Sequence, residues 1–600
     1  MSGGQVRVEP GQLLLAAHPG DTVMAAARRA GYRWPTVCGG RATCTTCYVL
    51  VRRGADRLTA PEPRERDALA ALLRRHADEA PGCVRLACQA VVEGDVTVYK
   101  RGVRPMTTTA LAHWPADATE EVLDVTVGQA LRDAVAECPE RIALIEAGGE
   151  QRRYTYADLL DEAEAVAGGL LGRFIPGERV ALWLANVPEW VVLEFAAALA
   201  GLTIVTVNPT LRPAELSFIL RQSRAAGIVL GEGYRGASHR AFLTSVRPDA
   251  PELRQVVYLS EWKELARARL ATLPTVDPAS PLMIQYTSGT TGTPKGAVLH
   301  HRSLLNNARL AARGFGLSDP SVWINALPMF HTGGSVMNTL GALTMRGTQV
   351  LLPEFDPGGA LAAIEEEGGT VMVAVPTMLS AMLDHPSLAG RDLSRFERVI
   401  SGGTTVPPEL VRRVEAGFGV DYGVVFGQTE TGGVITQSPP EASAEDKAHT
   451  VGRPIGHTEV RISDPADGGT VAPGVVGEIR VRGIGIMAEY FDRPDESAAT
   501  IDGQGWLRTG DLGLMDDRGA LRITGRLKDM VIRGGENIYP REIEDCAFSH
   551  PRVAEVAVVG VPDDHWGEDL VGFVRWRDDA AEVDDLRAFL KERLAPHKVP

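Results

Sequence analysis

Two kinds of unit are predicted for this 600-residue chain: a small cysteine-bearing module at the start and a large α/β body behind it. Three observations predict them. The length exceeds what one hydrophobic core serves, so about two to four domains are expected. Five of the seven cysteines, Cys38, Cys44, Cys47, Cys83 and Cys88, fall in the first 90 residues. From Val125 onward helical and strand patterns alternate, as in helix 156–171, strand 179–184 and helix 189–199, which argues for an α/β domain with largely parallel sheets.

Composition narrows the class. Hydrophobic and charged fractions of 44% and 23% are those of soluble globular chains and exclude disordered and collagen-like ones. The longest apolar stretch, 191–207, is interrupted by Glu194 and Gly201 and reads as a buried helix running into a strand, not a membrane span. No secretory signal opens the chain, so a cytoplasmic location is expected. The net charge of −15 is unevenly spread: residues 1–105 carry 15 Arg and 1 Lys against 10 Asp and Glu, so they are +6 and the remainder −21. No nucleic-acid-binding motif accompanies the basic segment, and a basic module docking on an acidic one is expected instead.

In the first module, 5–9 and 13–17 read as strands, and 21–30 as a helix capped by Asp21 or Thr22 after Pro19-Gly20. Cys38, Cys44 and Cys47 then form a C-x5-C-x2-C loop. A helical segment around 63–80 leads to Arg85-Leu-Ala-Cys88-Gln and a strand at 94–99. Crowded cysteines in a cytosolic protein suggest metal rather than disulfides. Four thiolates satisfy one [2Fe–2S] cluster, and the glycines beside Cys38 let backbone amides approach its sulfides. The alternative is a four-cysteine zinc site, usually built from paired C-x2-C units, of which this chain has one. Spacing, the Arg-Leu-x-Cys-Gln ending and the last strand resemble the plant- and adrenodoxin-like [2Fe–2S] ferredoxins over residues 5–100. That resemblance implies a β-grasp-like α+β domain with Cys38, Cys44, Cys47 and Cys88 as ligands. Cys83, in the turn after Pro81-Gly82, reads as a spare thiol, with exchange for Cys88 left open. The basic balance departs from the acidic ferredoxins, which leaves the redox partner unspecified.

Residues 106–122 have little apolar periodicity and read as a linker. The chemistry of the large unit centres on 284–301, IQYTSGTTGTPKGAVLHH. Thr287, Ser288, Gly289, Thr290, Thr291 and Gly292 combine hydroxyl donors with backbone freedom, and Lys295 adds a mobile positive charge, so an anion is the natural guest. A strand at 282–286 precedes the loop, and a strand or the start of a helix comes after Gly296. A Gly/Thr-rich surface turn is the bland reading, and neither the Walker pattern nor GxGxxG is present. Further on, Ser401-Gly402-Gly403-Thr-Thr405 offers a flat backbone to an adenine ring. In Phe426-Gly427-Gln428-Thr429-Glu430 an aromatic face can stack on a purine, a hydroxyl can reach the α-phosphate, and a carboxylate can hold Mg2+. Gly505-Trp-Leu-Arg-Thr-Gly-Asp511 resembles a ribose-binding segment, in which Asp511 would accept from both ribose hydroxyls, although an Asp after Gly is more often a turn residue.

These segments, with Tyr154-Thr-Tyr-Ala-Asp-Leu and Asn186-Val-Pro-Glu-Trp before them, resemble the adenylate-forming acyl-CoA synthetase superfamily in order and spacing from about residue 123 to the end. The family more often has Tyr at the Phe426 position. The resemblance implies a large AMP-binding domain at 123–527 and a small mobile α+β domain at 528–600, behind the ferredoxin at 1–105. It implies that Thr287, Lys295, Glu430 and Lys528 serve catalysis, that Thr290 and Glu430 hold Mg2+, and that Arg526 contacts the nucleotide. His331 and Gly333, in Leu327-Pro-Met-Phe-His331-Thr-Gly-Gly334, gate and line the acyl pocket. By the same resemblance Lys528 is expected at the hinge, and Gly534 and Gly535 along the coenzyme A tunnel. The implied activity is ATP-dependent activation of a carboxylic acid, medium- or long-chain by likeness, to an acyl-adenylate and transfer to coenzyme A. Two rival readings are delivery to a carrier protein or a nitrogen nucleophile, and an electron-transfer protein with a degenerate ligase. The family continues past Ala595-Pro-His-Lys598-Val-Pro600 to a late lysine that contacts the carboxylate and α-phosphate. Lys598 does not occupy that position, and a sequence cut at residue 600 is expected.

Overall fold

The computed structural model describes residues 4–10, 13–34, 47–63, 65–66, 69, 82–100, 103–105, 111–267, 270, 272–287, 294–403, 406, 408–533, 536–563, 567–577 and 583–600. The N-terminal module is a mixed five-stranded sheet in the order Leu13–Ala16, Gln5–Glu9, Val96–Tyr99, Tyr48–Arg53, Val84–Leu86, with Gln5–Glu9 and Val96–Tyr99 parallel. Alternation in Gln5–Glu9 sends Val6 and Val8 inward, where they meet Leu15, Val49, Val98 and Trp34. The helix Val23–Arg29 is capped by Thr22, whose hydroxyl accepts from the Ala25 amide at 3.1 Å, and it buries Val23, Met24, Ala26 and Ala27. Of the helix expected around 63–80, residues 63, 65, 66 and 69 are described, all helical.

The large unit contains two sheets built mainly from parallel strands. One has six strands, in the order Gln255–Tyr258, Gly227–Leu230, Arg179–Trp183, Thr203–Thr206, Pro281–Thr287, Lys295–His300; its first five are parallel and its last is antiparallel. The other has nine, with Ile142–Glu146, Thr348–Leu351, Val322–Asn325, Val371–Ala374, Arg398–Ser401 and Asp421–Phe426 running parallel through its centre. The helices expected at 156–171 and 189–199 are Tyr156–Leu171 and Pro188–Ala200. The second is buried nearly all round, as a continuous apolar run requires. The 191–207 stretch is this helix and then the strand Thr203–Thr206, and among the described residues no helix is long and apolar enough to cross a membrane.

A third sheet is antiparallel: Leu521–Arg526, Leu507–Met515, Gly477–Gly483, Thr458–Ser463 and, at its edge, His113–Trp114. That edge strand comes from the segment expected to be a linker. Ala112 is fully buried among Val460, Ile462 and Leu521, and the Trp114 ring lies where a Cβ on Gly519 would come within 2.0 Å of it. Further along, the Asn306 side chain exchanges two 2.8 Å hydrogen bonds with the Leu123 backbone, and Arg309 donates to the Glu121 carbonyl at 2.7 Å. The C-terminal unit has four strands, Glu536–Ile538, Val531–Arg533, Gly567–Trp576 and Val553–Asp563, over the helices Pro540–Phe548 and Val583–Arg593.

Candidate active site

The strands Pro281–Thr287 and Lys295–His300 form an antiparallel hairpin in which Thr287 pairs with Lys295. The strand expected before the loop is therefore present, and the chain beyond Gly296 continues as a strand that leads directly into the helix His301–Gly314. Ser288, Gly289, Thr290, Thr291 and Gly292 lie outside the described residues; the hairpin fixes both of their anchors.

Across from the hairpin, the strand Asp421–Phe426 ends in a tight turn. A Cβ on Gly427 would lie 1.7 Å from the Gly433 carbonyl oxygen, so only glycine lets the chain double back there. The turn places Gln428 and Thr429 at the carboxyl end of a parallel sheet and aims Glu430 at the hairpin: Thr287 Oγ1 donates to Glu430 Oε1 at 3.4 Å, joining residues 143 apart in sequence. The Tyr490 hydroxyl donates to the same oxygen at 2.7 Å. Both bonds end on Oε1, so a hard cation is offered Oε2 of a buried carboxylate, a fit to the oxygen chemistry of Mg2+. Thr290, the other expected Mg2+ residue, is outside the described set.

Beside Phe426, the adjacent parallel strand Arg398–Ser401 ends at Gly402 and Gly403. A Cβ on Gly402 would come within 2.2 Å of the Val425 carbonyl oxygen, and Gly403 has φ +77°. Bare backbone therefore lies next to the aromatic face, as a slot for a flat ring needs. Carboxyl ends of neighbouring parallel strands are where α/β sheets place ligands.

Asp511 and Arg526 face each other across two strands of the third sheet, with Arg526 Nε donating to Asp511 Oδ1 at 3.1 Å. Burial raises the Asp511 carboxyl above the ordinary range; Arg526 opposes this, while Glu430 adds to it. Lys528 is exposed in the turn after Leu521–Arg526, where the Leu527 amide bonds the Gly510 carbonyl at 2.8 Å. The expected hinge thus adjoins the Asp511 strand directly. Gly534 and Gly535 lie outside the described residues.

His331 precedes a π-helical segment, Gly333–Leu340. Its Nδ1 accepts from the Gly333 amide at 3.2 Å, which assigns any proton of the neutral ring to Nε2, and the surrounding protein lowers its pKa. Asn338 and Thr339 donate to the Gly333 and Gly334 carbonyls, satisfying groups that a wide turn leaves open. The sequence assigned no role at the site to two further contributors. Asn186 donates to the Leu327 carbonyl at 2.9 Å and accepts from the Met329 amide at 3.0 Å, clamping the loop before His331. Tyr490 is the other, and nothing in its local sequence marks it.

In the N-terminal module, Cys47 and Cys88 are both buried, with their sulfurs 3.2 Å apart, and neither forms a disulfide. Two adjacent buried thiols fit neighbouring ligands of one cluster; Cys38 and Cys44 lie outside the described residues. The strand leading to Cys88 is held by a buried pair in which Arg85 donates two 2.9 Å bonds to Glu65, whose Oε1 also accepts from the Leu86 amide. Cys83 is half-buried, one residue before that strand.

Three parts of the chain match known families. Residues 131–491 match the AMP-binding enzyme family, 542–600 the AMP-binding enzyme C-terminal domain, and 6–93 the 2Fe-2S iron-sulfur cluster binding domain. The medium-chain acyl-CoA ligase ACSF2, mitochondrial, of Macaca fascicularis is 32% identical, over 93% of this chain and 94% of that protein. Among solved structures, a Mycobacterium tuberculosis fatty acyl CoA synthetase superposes with a TM-score of 0.66 at 32% identity, over 79% of this chain and 93% of that one. The o-succinylbenzoate CoA synthetase MenE of Bacillus subtilis, in complex with its acyl-adenylate intermediate, gives 0.70 at 30% identity, over 78% and 93%.

Proposed function

Because the chain belongs to the AMP-binding enzyme family, with an iron-sulfur binding domain fused in front, we propose that it activates a medium- or long-chain fatty acid with ATP and transfers the acyl group to coenzyme A. The observation that supports this reading is the convergence of Thr287 and Glu430 at 3.4 Å; the Gly402–Phe426 strand ends and the Asp511–Arg526 pair supply the further groups a nucleotide would need. ACSF2, named for medium-chain acids, supports the choice of acid.

In the first step an oxygen of the substrate carboxylate attacks the α-phosphorus and pyrophosphate leaves. Phe426 and the Gly402–Gly403 backbone hold the adenine, and Asp511 accepts from the ribose hydroxyls. Lys295 and the donors of 287–292 offset charge on the phosphates as it develops. Glu430, with Thr290, would hold Mg2+, which supplies further positive charge at the polyphosphate. In the second step the domain beginning at Lys528 swings, Gly534 and Gly535 admit the pantetheine arm, and the thiol sulfur attacks the acyl carbonyl. The thiol proton is released and AMP departs. Domain movement lets one site serve both steps.

Cys38, Cys44, Cys47 and Cys88 would hold the [2Fe–2S] cluster, which supplies one-electron chemistry when bound. We assign that module either electron delivery to a partner acting on the same substrate or redox control of the ligase; equal ligase rates with the cluster oxidised and reduced would remove the second role. The deciding experiment for the ligase is acid-dependent ATP–pyrophosphate exchange over aliphatic and aryl acids, and then addition of coenzyme A. It is run on this chain and on one carrying a relative's C-terminal continuation. Exchange with C8 to C16 acids and thioester formation are expected. Exchange without thioester would redirect the acyl group to a carrier or another nucleophile, and no exchange in either chain would overturn the reading.

A further inference from the structure

We propose that Tyr490 is a positioning residue for the adenylation step, holding Glu430 and Lys295 apart and each facing the phosphates. The proposal rests on the ligase reading of this site. The Tyr490 hydroxyl donates to Glu430 Oε1 at 2.7 Å, and the face of its ring lies 5.1 Å from Lys295 Nζ. An ammonium and a carboxylate that contact the same side chain attract each other. Here the phenol occupies the carboxylate oxygen and its ring carries the ammonium, so among the described residues Lys295 has no ion-pair partner. Both charges stay available to a polyphosphate and its cation.

The backbone fixes the phenol as firmly as its contacts do. Residues 487–491 run alongside both halves of the site: the Met487 amide bonds the Glu430 carbonyl at 2.9 Å, while Val298 bonds Glu489, Ala488 bonds Val298 and Phe491 bonds Gly296, at 2.8 to 2.9 Å. One short segment therefore ties the turn that carries Glu430 to the return strand that carries Lys295. The ring is buried, which restricts the directions in which the hydroxyl can point.

Tyr490→Phe removes the hydroxyl and keeps the ring under Lys295; Tyr490→Leu removes both. Loss of one hydrogen bond to a charged acceptor predicts a roughly ten- to hundredfold fall in kcat for ATP–pyrophosphate exchange in Tyr490→Phe, with an unchanged melting temperature. In a Glu430→Gln background the same substitution is expected to cost less than about twofold, because the partner it positions is gone. Tyr490→Leu is expected to raise the KM for ATP as well. Wild-type kcat in Tyr490→Phe, or an undiminished loss in the Glu430→Gln background, would overturn the proposal. Wild-type protein silent with every acid would overturn the ligase reading instead. ATP titrations with and without Mg2+ then decide the residue: Tyr490→Phe must weaken binding only with Mg2+, and equal binding under both conditions refutes the role.

Discussion

Glu194 lies in the middle of the helix Pro188–Ala200, fully buried, and neither carboxyl oxygen has a hydrogen-bond partner. Burial alone raises its pKa well above the ordinary carboxylate range. The folded protein therefore binds a proton there that the unfolded chain releases above its own pKa of about 4.3. The contribution of this group to stability is accordingly most favourable below the unfolded pKa, and it is lost as pH rises until the folded pKa is reached. Between those limits the loss is about 1.4 kcal/mol per pH unit. Glu194→Gln has nearly the same shape and does not titrate, so its stability relative to wild type should rise by about 1.4 kcal/mol between two pH values one unit apart within that window. Because a chain of several domains does not unfold in one step, the measurement should be local. Hydrogen exchange at the amides of Pro188–Ala200 gives the opening free energy of this helix at both pH values. An equal wild-type-to-variant difference at the two pH values would mean that Glu194 does not hold its proton, and would refute the desolvation argument.

His301 works in the opposite direction. Its Nδ1 accepts from the Val127 amide, Nε2 is buried without a partner, and burial pushes the imidazole down to about 4. The folded state keeps the ring neutral while the unfolded chain protonates below about 6.5, so stability is lost as pH falls from there toward 4, by roughly 3 kcal/mol in all. His301→Gln should flatten that acid limb in a thermal-melt series. Gly427→Ala should abolish ATP binding in a calorimetric titration, since its Cβ would meet the Gly433 carbonyl oxygen at 1.7 Å. Asp511→Asn keeps the shape but loses a charged acceptor, so the KM for ATP should rise by about ten- to a hundredfold in the exchange assay. Cys88→Ser should remove the visible absorbance of the iron-sulfur module while the ligase domains melt as before, because Cys88 belongs to a separate core.

The legible parts of the molecule are those in which adjacent residues carry the constraint. The hairpin around 288–293 is visible because two apolar strands flank a run of Gly and Thr. The Thr22 cap, the helix 156–171 and the buried run 191–207 all obey local period and capping rules. The edge strand His113–Trp114 is hidden by its size: two residues have no period to read. They are fixed instead by a groove made by Gly519, Val460 and Ile462, some 350 to 400 residues further along. Asn186 shows a different limit. Its motif is visible, but its two bonds are to backbone groups of Leu327 and Met329, and a backbone partner leaves no mark on the side chains there.

Tyr490 is obscured for a further reason that bears on how the site is assembled. The proposed nucleotide site draws on three sheets: the hairpin from the six-stranded sheet, Phe426 and Glu430 from the end of the nine-stranded one, and Asp511 from the antiparallel one. Each contributes a motif legible within its own strand and turn. The residue that joins two of them needs no motif, because its task is met by any segment that brings a phenol to the seam. Its partners, Glu430 and Lys295, lie 60 and 195 positions away and in different sheets. The third sheet has an additional neighbour: the strand His113–Trp114, next in the chain after the iron-sulfur module, is hydrogen-bonded to its edge, three strands from Asp511. A movement at the proposed Lys528 hinge would act on a sheet whose edge strand follows the N-terminal module in the chain. The redox control proposed for that module, tested by the equal-rates comparison, would reach the ligase through this edge strand.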